Sequence, residues 1–421
     1  MIRLHPILGR LRAFAGIADQ IVISLANFAV GLVVLNAGTR EEFGLYALAY
    51  MTVTMSTGFT GGMFGAQFTV AQHRLPEEER PAFAAALLLL LAFLASMVCL
   101  LLLGAAWVGG WAGLHDPASQ TVLVTLLACP PAMALDFLRS HRLAIRRPEA
   151  ALALDIVNGL LWVGASFLGL EAGLPIHIAA IGAFGAVAAL TSLLATLAAR
   201  LPLAEGARRM GEALRRVWDQ GRWSVGGVAV AVSQNQGHFY LLGALAGAGA
   251  VAEVNAARML VTPVALLMVG AYRTLIPTLA HLHATGNPTR AERLARLALL
   301  ALLLAIPAYL LFLWPFRDLV STSLLRGRYN GVEALVLLWA LVLLLQTVTE
   351  MASAQLQAQS RFRVLTLRNA MTAVPVLAVL VPMILWLGGP GSLLTLAAGQ
   401  AALGILLWRE VRGPQKEVLI S

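Results

Sequence analysis

The chain alternates between long apolar runs and short polar breaks. Apolar runs fall at 15–36, 43–72, 82–107, 118–138, 150–170 and 176–199, and again at 223–246, 257–280, 294–315, 331–360, 364–387 and 391–409. About 20 helical residues are needed to cross a hydrocarbon core of roughly 30 Å. The pattern therefore predicts an all-α polytopic membrane protein of twelve transmembrane helices in two six-helix bundles.

The arginines test that count. With a cytoplasmic N-terminus, the inside segments hold Arg74 and Arg80, then Arg139, Arg142, Arg146 and Arg147, then Arg200, Arg208, Arg209, Arg215, Arg216 and Arg222. Further along they hold Arg290, Arg293 and Arg296, then Arg361, Arg363 and Arg368, and finally Arg409, Arg412 and Lys416. The outside segments hold only Arg40, Arg258, Arg317, Arg326 and Arg328. One miscounted span would scramble this alternation, so the positive-inside bias predicts an even number of spans, with both termini in the cytoplasm.

The longest polar connection divides the chain at residues 201–222, which leaves a bundle at 1–200 and a second at 223–421 with a short cytoplasmic tail. In the connection Leu203, Ala207, Met210, Leu214 and Val217 recur near the helical period. This is the pattern of an amphipathic helix on an anionic leaflet, or of a linker between bundles. The polar turns of the halves align at a shift of about 209 residues, which implies parallel repeats of the kind used for alternating access.

Composition agrees with a lipid solvent. Hydrophobic residues make up 59% of the chain and charged ones 12%, too few to cover a surface facing water. The net charge of +9 lies in arginine clusters between spans and not in a nucleic-acid-binding patch. Cys99 and Cys129 lie in apolar runs with no metal or disulfide spacing, and His281 and His283 lack partners at ligand spacing. No phosphate-cradling G-x-x-x-x-G-K-[ST] sequence occurs, so no cofactor is expected and direct ATP drive is not.

Polar residues inside spans carry the functional signal, because they are costly against lipid. In the first span Gly16, Gln20, Ser24, Asn27 and Gly31 form one face, with Asp19 beside it. The seventh carries Gln234, Asn235 and His238, and the tenth a stripe of Gln346, Glu350, Ser353, Gln357 and Ser360. Glu350 is the deepest acid, and Arg273 is the basic residue well inside a span. These two either pair structurally or serve substrate or ion coupling. Asp136 and Asp155 lie near the inner ends of spans four and five, around Arg139, Arg142, Arg146 and Arg147, and either pair with those arginines or line a vestibule, which Asn158, one turn inward from Asp155, would share. Glycines at 58, 61, 62 and 65 and prolines at 130, 131, 263 and 277 soften or kink spans two, four and eight.

Two groups of six spans, a polar face on the first and the outer turn Thr39-Arg40-Glu41-Glu42-Phe43-Gly44-Leu45-Tyr46 resemble the Wzx-type lipid-linked oligosaccharide flippases of the multidrug/oligosaccharidyl-lipid/polysaccharide (MOP) exporter superfamily. The stretch EEFGLYALA, residues 41 to 49, carries most of that resemblance. It implies two bundles around a central cavity in a bacterial inner membrane. The implied task is moving a polyprenyl-pyrophosphate-linked glycan to the outer leaflet, in company with polysaccharide polymerase or export machinery. Arg273 would meet the pyrophosphate, with Arg142 and Arg361 at the inner mouth. Glu350 or Asp19 would bind a coupling proton or sodium ion, if one is used. The competing expectation is a cation-coupled efflux pump for amphipathic organic cations, which favours acidic and aromatic site residues. A membrane enzyme or an assembly scaffold is disfavoured by the short loops.

Overall fold

The computed structural model describes residues 5–65, 68–69, 75–108, 116–320, 322, 325–329, 331–359 and 361–413, with the side chains of 5–17, 20, 219–235, 273 and 362 outside that description. Long helices follow one another as α1 (His5–Ala37), α2 (Arg40–Thr60), α3 (Arg80–Val108), α4 (Pro117–Ala144), α5 (Pro148–Glu171) and α6 (Ile176–Ala198). They continue as α7 (Leu203–Ala246), α8 (Ala248–Ala284), α9 (Pro288–Leu313), α10 (Val332–Ala358), α11 (Phe362–Leu387) and α12 (Gly389–Arg412). Among the described residues nine helices are long and apolar enough to cross a membrane, namely α3 to α6 and α8 to α12. In α1 the described apolar part is Ile21–Ala37, and α2 and α7 carry more polar residues.

Local chemistry sets the helix ends. Thr39 caps α2 by accepting from the Glu42 N–H at 3.2 Å, while the Glu42 carboxylate accepts from the Thr39 N–H at 2.8 Å, a reciprocal capping box. Asp116 caps α4 by accepting from the Ser119 N–H at 3.0 Å, and its carboxyl is held below the usual carboxylate range by the Ser119 side chain first and by that backbone bond second. The glycine-rich end of α2 widens into a π turn over Gly61–Gly65. Between α11 and α12, Gly388 has φ +61°, and a Cβ on Gly391 would fall 2.0 Å from the Met383 carbonyl oxygen, so only glycine fits the hairpin.

The chain forms two compact units, Met1–Val232 and Ser233–Ser421. The boundary lies inside α7 and not at the ends of the polar connection, because that connection does not form a separate element. Its helix runs on without a break into the seventh apolar run. In the first unit α4 packs on α2, α3 and α6, and α5 on α1 and α6. Small residues allow this approach, since a Cβ on Gly185 would meet the Ala128 backbone at 2.9 Å and one on Gly159 would meet Ala26 at 3.0 Å. In the second unit α10 packs on α8, α9 and α12, and α11 on α12.

The amphipathic start of α7 sits on the first unit by a face that periodicity alone did not choose. Gly206, Ala213 and Val217 are buried, in a cluster with Phe83, Ala85 and Leu87 of α3, and Met210 is half-buried against it. Leu203, Ala207 and Leu214, expected on the apolar face, are exposed. Two apolar faces are present, a small-residue one against protein and a leucine one on the outside. Exposed Phe93, Leu100, Leu101, Leu102 and Trp107 on α3 form an apolar surface that water covers unfavourably and lipid favourably.

Candidate functional site

The strongest polar constellation lies in the first unit, where α1, α4 and α5 meet. Arg139 of α4 is its centre. The guanidinium donates to Asp19 of α1 through Nε at 3.2 Å and Nη2 at 2.5 Å, and Nε lies 2.9 Å from a carboxylate oxygen of Asp155 on α5. Asp136, one turn back on α4, is at 3.9 Å. The side chains of Asp19 and Asp155 are 2% and 6% exposed, so these charges are held out of water. One turn along α5, Asn158 accepts a hydrogen bond from the Thr191 hydroxyl of α6 at 3.1 Å.

The sequence builds this cluster by simple spacing. Ala151, Asp155, Asn158, Gly159, Trp162 and Ser166 form the buried face of α5 at steps of three and four. Gly159 lets α1 approach that face at Ala26, which brings Asp19 within reach of the Asp155 level. Among the described residues three carboxylates gather around this one guanidinium, an acid-rich arrangement. Buried charge is costly unless it is matched, so the cluster has the chemistry to take up a cation. Its oxygens suit a proton. Among the described residues no group of three or more His, Cys, Asp and Glu is arranged to hold a metal ion.

Towards the other end of the same unit, Glu42 of the capping box faces His177 of α6 at 3.2 Å. Phe43 and Tyr46 are buried; Tyr46 stacks on Tyr50, and Tyr50 on Trp162, at centroid distances of 6.0 and 5.9 Å. Trp162 donates to the Ala180 carbonyl at 2.8 Å. The stretch that carried the sequence resemblance thus ties α2 to α5 and α6.

The inner arginines singled out from sequence both have structural partners. Arg142 donates to the Ala195 carbonyl at 3.0 Å, joining α4 to the end of α6. Arg361 donates to the Glu410 carbonyl oxygen at 2.7 Å and pairs with its carboxylate at 2.9 Å, and Arg368 pairs with the same carboxylate at 2.6 Å.

The remaining expected residues are dispersed or undescribed. Asn27 is half-buried on α1, two turns beyond Asp19. The side chains of Gln20, Gln234, Asn235 and Arg273 lie outside the described residues. Glu350 is exposed on α10, Gln346 is half-buried, and Gln357 donates to Ser353 at 3.1 Å. Tyr272, the residue before Arg273, donates to the Thr347 carbonyl at 2.9 Å and so fixes α8 against α10 one turn from Glu350. His238 is buried against Phe239 and Trp339, and neither ring nitrogen has a hydrogen-bond partner among the described residues. The sequence pointed Asp136 and Asp155 to the arginine cluster that contains Arg139, and both face that arginine here; it did not bring Asp19 of α1 to the same guanidinium. The signal for that was that Asp19, Arg139 and Asp155 all lie near the same end of their spans.

The fold so built is an all-α polytopic membrane fold, and it resembles those of solved MOP-superfamily transporters. An outward-facing multidrug resistance MATE family transporter of the MOP superfamily superposes with TM-score 0.64 at 16% identity, over 96% of this chain and 94% of that one. A MOP superfamily transporter from Pyrococcus furiosus, described as having a binding pocket of reverse polarity, gives 0.64 at 17% identity over the same shares. The lipid II flippase MurJ in an inward closed conformation gives 0.70 at 12% identity, over 96% of this chain and 87% of that one. No family model and no curated protein matches the sequence.

Proposed function

We propose that the chain is an ion-coupled exporter that moves an amphipathic organic cation across the bacterial inner membrane by alternating access. The acid-rich cluster of buried Asp19 and Asp155 and half-buried Asp136 around Arg139 carries this reading. Taking up a proton there lowers the negative charge facing Arg139 and loosens its hold on α1 and α5. Ion loading then changes how firmly α1 is tied to its neighbours, the link that coupling requires. The MATE-like fold supports the same class of substrate. In this reading α1, α2 and α7 also span the membrane, giving twelve spans in two six-helix bundles with both termini cytoplasmic.

The test is efflux of a fluorescent organic cation from proteoliposomes under an imposed pH or sodium gradient. The natural chain should respond to one gradient. Asp19→Asn and Asp155→Asn should fold and lose that response. Gradient-independent efflux by the natural chain, or full coupling in both variants, would remove the cluster from the mechanism.

A second reading, translocation of a polyprenyl-pyrophosphate-linked glycan together with polysaccharide export machinery, is favoured by the MurJ likeness and by Arg273 within α8. It calls for leaflet-to-leaflet transfer of a labelled lipid-linked oligosaccharide that fails in Arg273→Ala.

A further inference from the structure

The second unit holds a cavity of about 720 Å³ between the end of α8, the start of α9, and the ends of α10 and α12. Leu299, Val348, Trp408 and Val411 supply apolar lining; His283, Thr289, Glu292, Arg296, Gln355, Gln359 and Arg412 supply the polar lining.

The lining chemistry selects an anion. Glu292 is already matched by Arg296 at 3.0 Å, which leaves Arg412 in excess. The Arg412 guanidinium lies over the Trp408 ring, 5.7 Å from its centroid, and Trp408 is fixed by its bond to the Val348 carbonyl at 3.0 Å. Helix α9 begins at the cavity with Pro288 at its first position and no side-chain cap, so its first amide groups remain available to a negative group. Gln355 adds a second, independent polar group. The residue is 7% exposed and lines the cavity, and its carboxamide makes no hydrogen bond among the described residues, so it is free to donate to an oxygen placed in that space.

We infer that this cavity binds a phosphate-bearing anionic group, on the side of the membrane that carries the arginine clusters. Its two sources are a phospholipid headgroup and a soluble phosphate. The site is separate from the Asp19–Arg139–Asp155 cluster and does not depend on what the protein transports.

The experiment follows thermal unfolding of the full chain in a non-ionic maltoside while dihexanoyl-phosphatidylglycerol or inorganic phosphate is titrated. A ligand that binds only the folded chain raises Tm in a saturable way. Arg412→Gln and Gln355→Leu should each weaken apparent binding by about tenfold, the size of one charge-assisted hydrogen bond. Arg363→Gln, an exposed arginine away from the cavity, should bind as the natural chain does. Response to the lipid alone assigns a headgroup, and response to phosphate alone or to both assigns the phosphate group itself. Should Gln355→Leu fail to fold, the exposed Arg412 still decides the matter. No saturable response to either probe, or undiminished binding in Arg412→Gln, overturns the inference.

Discussion

At the scale of single residues, Arg139 holds the first unit together by charge. Removing it leaves Asp19 and Asp155 buried without their cation, and breaking a buried pair in this way costs about 3–5 kcal/mol. Arg139→Ala should therefore lower Tm sharply, and Asp155→Asn in that background should recover part of the loss. If Arg139→Ala unfolds at the temperature of the natural chain, the cluster is not buried as described. The capping box separates charge from geometry in a similar way. Thr39→Ala should cost about 1 kcal/mol, whereas Glu42→Gln keeps a side chain able to serve the box and should cost less. Equal losses would mean that the charge facing His177 matters as much as the cap.

Sequence spacing was a good guide to polarity and a poor guide to partners. The stripe on α10 was legible as Gln346, Glu350, Ser353 and Gln357, yet Glu350 is exposed, while the buried polar residues are Thr347, Thr349 and Gln355. Both threonines satisfy themselves on carbonyls one turn back, at 2.7 and 3.0 Å, and so need no polar surroundings. A periodicity argument sees a row of polar residues without knowing which hydroxyls the helix itself has already matched.

At the scale of elements, the start of α7 shows how little room separates docking from exposure. A Cβ on Gly206 would stand 2.6 Å from the Ala85 Cβ and 2.8 Å from the Ala85 carbonyl carbon. Gly206→Leu should push α7 off α3, measured as lost hydrogen-exchange protection across residues 203–217. Gly211 lies in the same stretch with open space around its Cβ position, and Gly211→Ala should stabilise the helix by about 0.5–1 kcal/mol. Retained protection in Gly206→Leu would place the stretch elsewhere. The long apolar helices were legible because nothing else has their length and composition. The union of the amphipathic connection with the seventh run was not, because the charged residues of WDQGRW look like a break. Helical hydrogen bonds are made within the backbone, and charges can sit on one continuous helix where it leaves the apolar layer.

At the scale of the whole molecule, the fold class followed from hydropathy, whereas the balance between substrate readings rests on where buried charge collects. The sequence weighted Arg273 and Glu350; the described geometry gathers acid around Arg139 in the other unit. One uninterrupted helix also carries the chain from the first unit into the second. Inserting one alanine after Arg222 would turn the rest of α7 by about 100° about its axis relative to its docked start, while four added residues make roughly one full turn. The single insertion should leave each unit folded and abolish efflux, and the fourfold insertion should recover part of it. Equal activity in the two would show that the crossing behaves as a tether. Along α7 itself, the angular phase set where the helix docks on α3 is inherited by its apolar end.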